Sequence, residues 1–164
     1  MNKKVLLSAL CLTAAASLMV GCQKKEEGQN KQEESNQQTK VEEKKLTCEL
    51  TEDDGSKIKY TLTYNGDNYS KAYAMSTKKY KDEKATSAAY DELKETVKKD
   101  NTAKGVSANA QSSGLTVTAS YTFTVADLDD NGKKVYEEAG LKELDGKKYD
   151  DAKSALETAG FKCN

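Results

Sequence analysis

Residues 46–164 predict an α+β domain, an antiparallel sheet of about five strands with one long central helix and a C-terminal helix packed on it. Three observations carry this. Apolar residues alternate with period two on both sides of a central block. Within that block, and again near the C-terminus, the apolar period becomes helical. Asp-Gly, Asn-Gly and Ser-Gly pairs separate the alternating runs where hairpins need turns. The order reads β-β-β-α-β-β-α, which places helices on one face of an antiparallel sheet.

The first strand is "LTCELTE", with Leu46, Cys48 and Leu50 on one face, and "DDGS" turns it back. "KIKYTLTYNG" continues the alternation through Ile58, Tyr60, Leu62 and Tyr64, and "NGDN" turns the chain again. "NYSKAYAMSTKKY" is the third strand. Residues 82–99 form the central helix, in which Ala85, Ala89, Leu93 and Val97, with Tyr90, share a stripe. Asp82 suits its N-cap, and Lys98 and Lys99 suit its negative C-terminal end. "VSANAQ", an "SSG" turn and "LTVTASYTFTV" follow. In the last of these, Leu115, Val117, Ala119, Tyr121, Phe123 and Val125 oppose a face of Thr and Ser. A short helical piece at "KKVYEEAG" precedes the final helix, "DGKKYDDAKSALETAG". There Tyr149, Ala152, Leu156 and Ala159 face one way, and Gly160 is the C-cap.

Upstream of the domain, Lys3 and Lys4 precede an apolar run from Val5 to Val20 that is too short for a reliable membrane span. It reads as an export signal, residues 1–21, ending in "LMVGC". Gly21 before Cys22 resembles the lipobox of bacterial lipoproteins. That resemblance implies cleavage after Gly21 and diacylglycerol on the Cys22 sulfur, so the membrane becomes the partner. Two acyl chains on one thiol give stable attachment where one chain does not. Residues 22–45 hold almost no apolar side chain, and six acids balance six lysines within 23–45. They read as a disordered tether with a reach of roughly 25–30 Å. The expected location is the extracytoplasmic face of a cell membrane. The lysine-rich composition and long polar tether lean toward a Gram-positive envelope.

Composition narrows the chemistry further. The chain has no His, and all 26 of its basic residues are Lys. Ser–His and Cys–His catalysis, HExxH zinc sites and bidentate Arg recognition are therefore excluded. Without the signal the net charge is negative, which gives no electrostatic case for nucleic acid. "STKK", Ser76 to Lys79, fits S-x-x-K, but neither S-D-N nor K-T-G accompanies it. The expectation is a protein that acts by binding or envelope association, with no recognisable catalytic constellation; a calcium-dependent binding module using residues 127–138 and an envelope-acting enzyme without histidine are the alternatives.

"YNGDNYSKAYA", the central helix, "LTVTASYTFTVADLD" and "SALETAGFK" together resemble the YehR-like lipoproteins, a bacterial family of unknown function. The resemblance spans most of residues 50–162. It implies this architecture and export, and transfers no catalytic residue.

Beyond the signal stretch, which holds Cys11, two cysteines remain beside Cys22. Cys48 and Cys163, an even pair in an exported domain, are expected to form a disulfide joining its two ends. Tyr60, Tyr64, Tyr69 and Tyr73 recur at even spacing on neighbouring strands. They suit either a binding platform for sugar or peptide, or the half-buried face of a sheet. Finally, "DLDDNGKKVYEE" fits D-x-[DN]-x-[DN]-G-x5-E, with Asp127, Asp129, Asn131 and Glu138 as oxygen ligands and Gly132 at the turn. One reading is a calcium site. The other has Asp129 or Asp130 capping a short helix while Asn131-Gly132 makes a turn. A strand before the motif, Lys134 at its eighth position and the lack of a second loop fit the latter better.

Overall fold

The computed structural model describes residues 42–164; Cys22 and the expected export signal, residues 1–21, lie outside them. Six strands form one wholly antiparallel sheet: β1 (Glu43–Thr51), β2 (Lys57–Asn65), β3 (Asn68–Lys79), β4 (Val106–Ser113), β5 (Thr116–Thr124) and β6 (Lys162–Cys163). Their order across the sheet is β4-β5-β3-β2-β1-β6. Three helices accompany it: α1 (Glu83–Asp100), α2 (Asp130–Glu138) and α3 (Tyr149–Thr158). The architecture is the expected mixed one, with a sixth strand beyond the expected five; α2 is the short helical piece expected at "KKVYEEAG", starting three residues earlier. Strand β6 is two residues long, too short for any periodicity to announce.

Alternation fixes the layers. Leu46, Leu62, Ala72 and Phe123 stand in one row across β1, β2, β3 and β5, all essentially sealed from solvent. Cys48, Tyr60, Ala74 and Tyr121 form the next row on the same face. Helices α2 and α3 cover these rows with Val135, Tyr136, Ala152 and Leu156, and Leu141, Leu144 and Phe161 close the gaps between them. Over β4 and β5 lies α1, through Val97 and the Tyr121 hydroxyl, which donates to Asp100 at 2.9 Å. The helices thus share one face, and among the described residues no element covers the other face of the sheet.

Local signals place the ends of the elements. Asp82 caps α1 by accepting from the Ala85 N–H at 2.8 Å. Gly160, at φ +91°, ends α3, and the Phe161 N–H returns to the Leu156 carbonyl at 3.0 Å. That backbone turn drops Phe161 into the core against the Tyr60 ring, 5.3 Å away, and aims the chain at β1. Strand β1 starts at Glu43 and not Leu46, because its pairing with β2 runs on to Asn65 through polar residues. At the free edge of β4, the Asn101 side chain satisfies both the N–H and the C=O of Ala108, at 2.7 and 2.8 Å. It blunts an edge strand that carries neither charge nor proline of its own.

Cys48 and Cys163 are disulfide-bonded across β1 and β6, with Cα atoms 4.1 Å apart. The bond spans 115 residues and fastens the last strand to the first. In the chain-entropy account a loop of this length contributes about 4–5 kcal/mol. Cys163→Ser is expected to lower the melting temperature of residues 42–164 by about 10–20 °C. Reductant should lower the parent by a similar amount and leave the variant unmoved, as thermal melts followed by circular dichroism would show.

Candidate functional site

The two candidate sites legible in the sequence resolve differently from either simple picture. The tyrosines do not form an exposed platform. Tyr60 and Tyr64 project from β2 into the core at 7% and 0% exposure. Tyr69 joins them because the β2–β3 register shifts between Thr63 and Tyr64, where Ser70 is the extra residue on β3. The Ser70 hydroxyl donates to the Thr63 carbonyl there, at 3.1 Å. Plain alternation would put Tyr69 and Tyr73 on one face; the bulge turns Tyr69 inward and leaves Tyr73 outward.

The inward tyrosines build a cluster under α2 and α3. The Tyr64 ring lies 5.5 Å from Tyr69 and 5.6 Å from Tyr149, and Tyr136 donates its hydroxyl to Tyr69 at 3.1 Å. Tyr60 donates to the Ala139 carbonyl at 2.8 Å. The Tyr64 hydroxyl is buried without a hydrogen-bond partner. Burial pushes Tyr64 up to about 12, and pushes Tyr136 up to about 12 as well. These groups are cross-braces of the core and not a surface for ligand.

Residues 127–138 do not take the helix–loop–helix form of a calcium loop. Asp127 ends a 3-10 turn, Val125–Asp127, and α2 starts at Asp130, so Asn131 and Gly132 lie inside its first turn. Asp129 is the N-cap, its Oδ1 accepting from the Gly132 N–H at 2.7 Å. That bond holds its carboxyl below the usual range. Glu138 is the last residue of α2, six residues beyond Gly132 and so about 9 Å along the axis. Among the described residues no three Asp, Glu, Cys or His side chains converge to hold a metal. The glycine has a different reason for being there. A Cβ on Gly132 would stand 2.6 Å from the Lys104 carbonyl oxygen, so α2 approaches that turn too closely for any side chain. A cap at Asp129 and a close contact at Gly132 account for two of the motif's defining positions.

What the fold does present is the uncovered face of the sheet. Tyr73 stands at its middle in a row with Thr47 and Thr61 on one side and Thr122 and Ser107 on the other. The adjoining row runs Lys162, Glu49, Lys59, Met75, Ser120 and Asn109. Threonine hydroxyls pair across strands at 3.3 Å, Thr47 with Thr61 and Thr77 with Thr118. The Lys59 ammonium beside it holds Glu49 below the usual carboxylate range, and the two are 2.7 Å apart. At the β6 border a shallow groove of about 390 Å³ opens between Glu49, Thr51, Gly160, Lys162 and Asn164. Sequence alternation marked this face only as polar; the bulge that parts Tyr69 from Tyr73 has no such signal.

No protein-family model matches the chain, and neither does any curated protein sequence. Two solved structures are similar to it. The NMR structure of E. coli YehR has a TM-score of 0.60 at 17% identity, covering 75% of this chain and 91% of that one. The NMR structure of a protein from Streptococcus pneumoniae TIGR4 has a TM-score of 0.55 at 15% identity, covering 96% and 100%.

Four outcomes test these assignments. Tyr64→Phe is expected to leave stability within about 0.5 kcal/mol of the parent, since the lost hydroxyl has no partner. In the parent, tyrosine ionisation followed at 295 nm should leave a fraction unionised at pH 10. A phenol held neutral by burial lends stability that is intact below pH 10 and is lost as pH rises through about 12, so those tyrosines should ionise together with unfolding. Asp129→Ala is expected to cost about 1 kcal/mol in urea unfolding through the lost cap. The parent's melting temperature should be the same in millimolar calcium and in chelator. At these identities the similarity is one of fold alone, and the fold is YehR-like.

Proposed function

We propose that this protein is a YehR-like lipoprotein, held by diacylglycerol on Cys22 at the extracytoplasmic face of a cell membrane. In this reading residues 1–21 are removed, the tether runs from Cys22 to about Glu42, and residues 43–164 work by binding and not by catalysis. The observation that carries it is the Cys48–Cys163 bond. A disulfide closing a whole domain belongs to an oxidising compartment, and the n-region, apolar run and "LMVGC" supply the route there. The lean toward a Gram-positive envelope rests on the lysine-rich composition and the long polar tether. Among the described residues no helix is long and apolar enough to cross a membrane; in this reading the two acyl chains on Cys22 do the holding.

The reading fixes what labelling should find. Cells fed radiolabelled palmitate should label the parent and not Cys22→Ser, and the variant should leave the membrane fraction. Label retained on Cys22→Ser, or a parent found in the cytoplasm with free thiols at Cys48 and Cys163, would reject it.

A further inference from the structure

We propose that the uncovered sheet face binds an acidic polysaccharide, with Tyr73 at the centre of the site. This rests on the reading above, which places the domain outside the cytoplasm.

Charge is divided unevenly between the two sides of the domain. Strand register puts Lys45, Lys57, Lys59, Lys71, Lys79 and Lys162 on the open face, against only Glu43 and Glu49. Both glutamates are already paired within the face, with Lys45 at 3.2 Å and Lys59 at 2.7 Å. The remainder of residues 42–164 holds fourteen lysines against twenty-one acids. A face that merely needed solvation would draw on the same mixture as the rest of the surface. Here a domain with net negative charge gathers an excess of ammonium groups on the side its helices leave bare. An anionic partner is the complement.

Chemistry and shape narrow the partner further. The lysines occupy β6, β1, β2 and β3, whereas β5 and β4 offer only hydroxyls and amides to the same face, Asn109, Gln111, Thr118 and Thr122 among them. Half of the face therefore suits anionic groups and the other half suits neutral polyols. Half-buried Tyr73 lies where the halves meet, with Met75 beside it, offering an aromatic plane to a sugar ring. Sheet twist decides between a polymer and a membrane. Strands rotate by about 20–25° at each step, so a six-stranded sheet turns by roughly 100° from edge to edge. A planar bilayer meets such a face along one strip, and little apolar surface waits to enter it. A flexible chain follows the twist, from the groove at β6 across Tyr73 to the amides of β4. Lys57 and Lys59 stand about 6.7 Å apart along β2, and Lys45 and Lys71 about 9.5 Å apart across two strand spacings. Successive charged sugars are thereby met by separate ammonium groups rather than by a single cluster.

The test uses residues 42–164, which contain the core, the helix caps and the disulfide described above, with folding of each protein verified by circular dichroism. Probes are an oligogalacturonate, its methyl-esterified neutral form and phosphatidylglycerol vesicles. Calorimetric titration should show saturable binding of the oligogalacturonate that weakens with salt and falls at least tenfold on esterification. Binding should fall at least tenfold in Lys57→Gln/Lys71→Gln and in Tyr73→Ala. Lys98→Gln/Lys133→Gln, which removes the same charge from the helical side, should bind like the parent. Three results would overturn the proposal: no binding to the charged oligomer, equal loss in both double variants, or capture by vesicles in preference to the oligomer. The protein used lacks Cys22, so failure here leaves the lipid anchor standing, and failure of palmitate labelling leaves this result standing.

Discussion

One-sided burial of the sheet is the constraint on which the rest of the structure depends. A side-chain period of two means that a slip by one residue exchanges every buried group for an exposed one. The row Leu46–Leu62–Ala72–Phe123 cannot tolerate that exchange, since its members are all at or near zero exposure. The same register commits Thr47, Thr61, Tyr73 and Thr122 to the opposite side. Core and open face are therefore one decision. Small Ala72 and Ala74 in β3, between larger neighbours, leave room for Tyr136 and the other helix side chains to enter.

The C-terminus is brought into that register by short-range chemistry. Gly160 permits the left-handed turn after α3, Phe161 fills the space beside Tyr60, and only then can Cys163 lie opposite Cys48. The order matters for how the disulfide stabilises. It acts on a geometry that caps and packing already favour. The tyrosine cluster performs a comparable service between β2, β3 and the helices, where amphipathic rings join elements that plain aliphatics would only fill.

Much of this was legible in the residues, and the exceptions have physical causes. Alternation in β1, β2 and β5 named the inward residues, and Asp82 and Gly160 marked helix ends, because these signals are local. Tyr69 was not legible: its orientation depends on a bulge formed with another strand, and nothing within "NYSKAYA" requires one. Strand β6 exists only through its pairing with β1. The acidic stretch 127–138 left two readings open for a third reason. A helix N-terminus and a calcium loop both want carboxylates and a glycine at close spacing. Gly132 is specified by the nearness of Lys104, a contact no linear pattern carries.

An antiparallel sheet covered on one side must keep its other side compatible with water, and threonine does this while retaining β-propensity. Solvation alone thus explains Thr116 to Thr124. It does not explain an aromatic ring and a thioether at the middle of the face, since any polar β-former would serve at Tyr73 and Met75. Nor does it explain the lysines. Strand edges use lysine to repel other strands, yet Lys57, Lys59 and Lys71 sit in β2 and β3, interior strands with partners on both sides. The free β4 edge, where such protection is needed, has no lysine and relies on Asn101. On the open face the lysines of β2 and β3 stand where the proposed ligand would meet them and not at the free β4 edge, where protection against aggregation is needed.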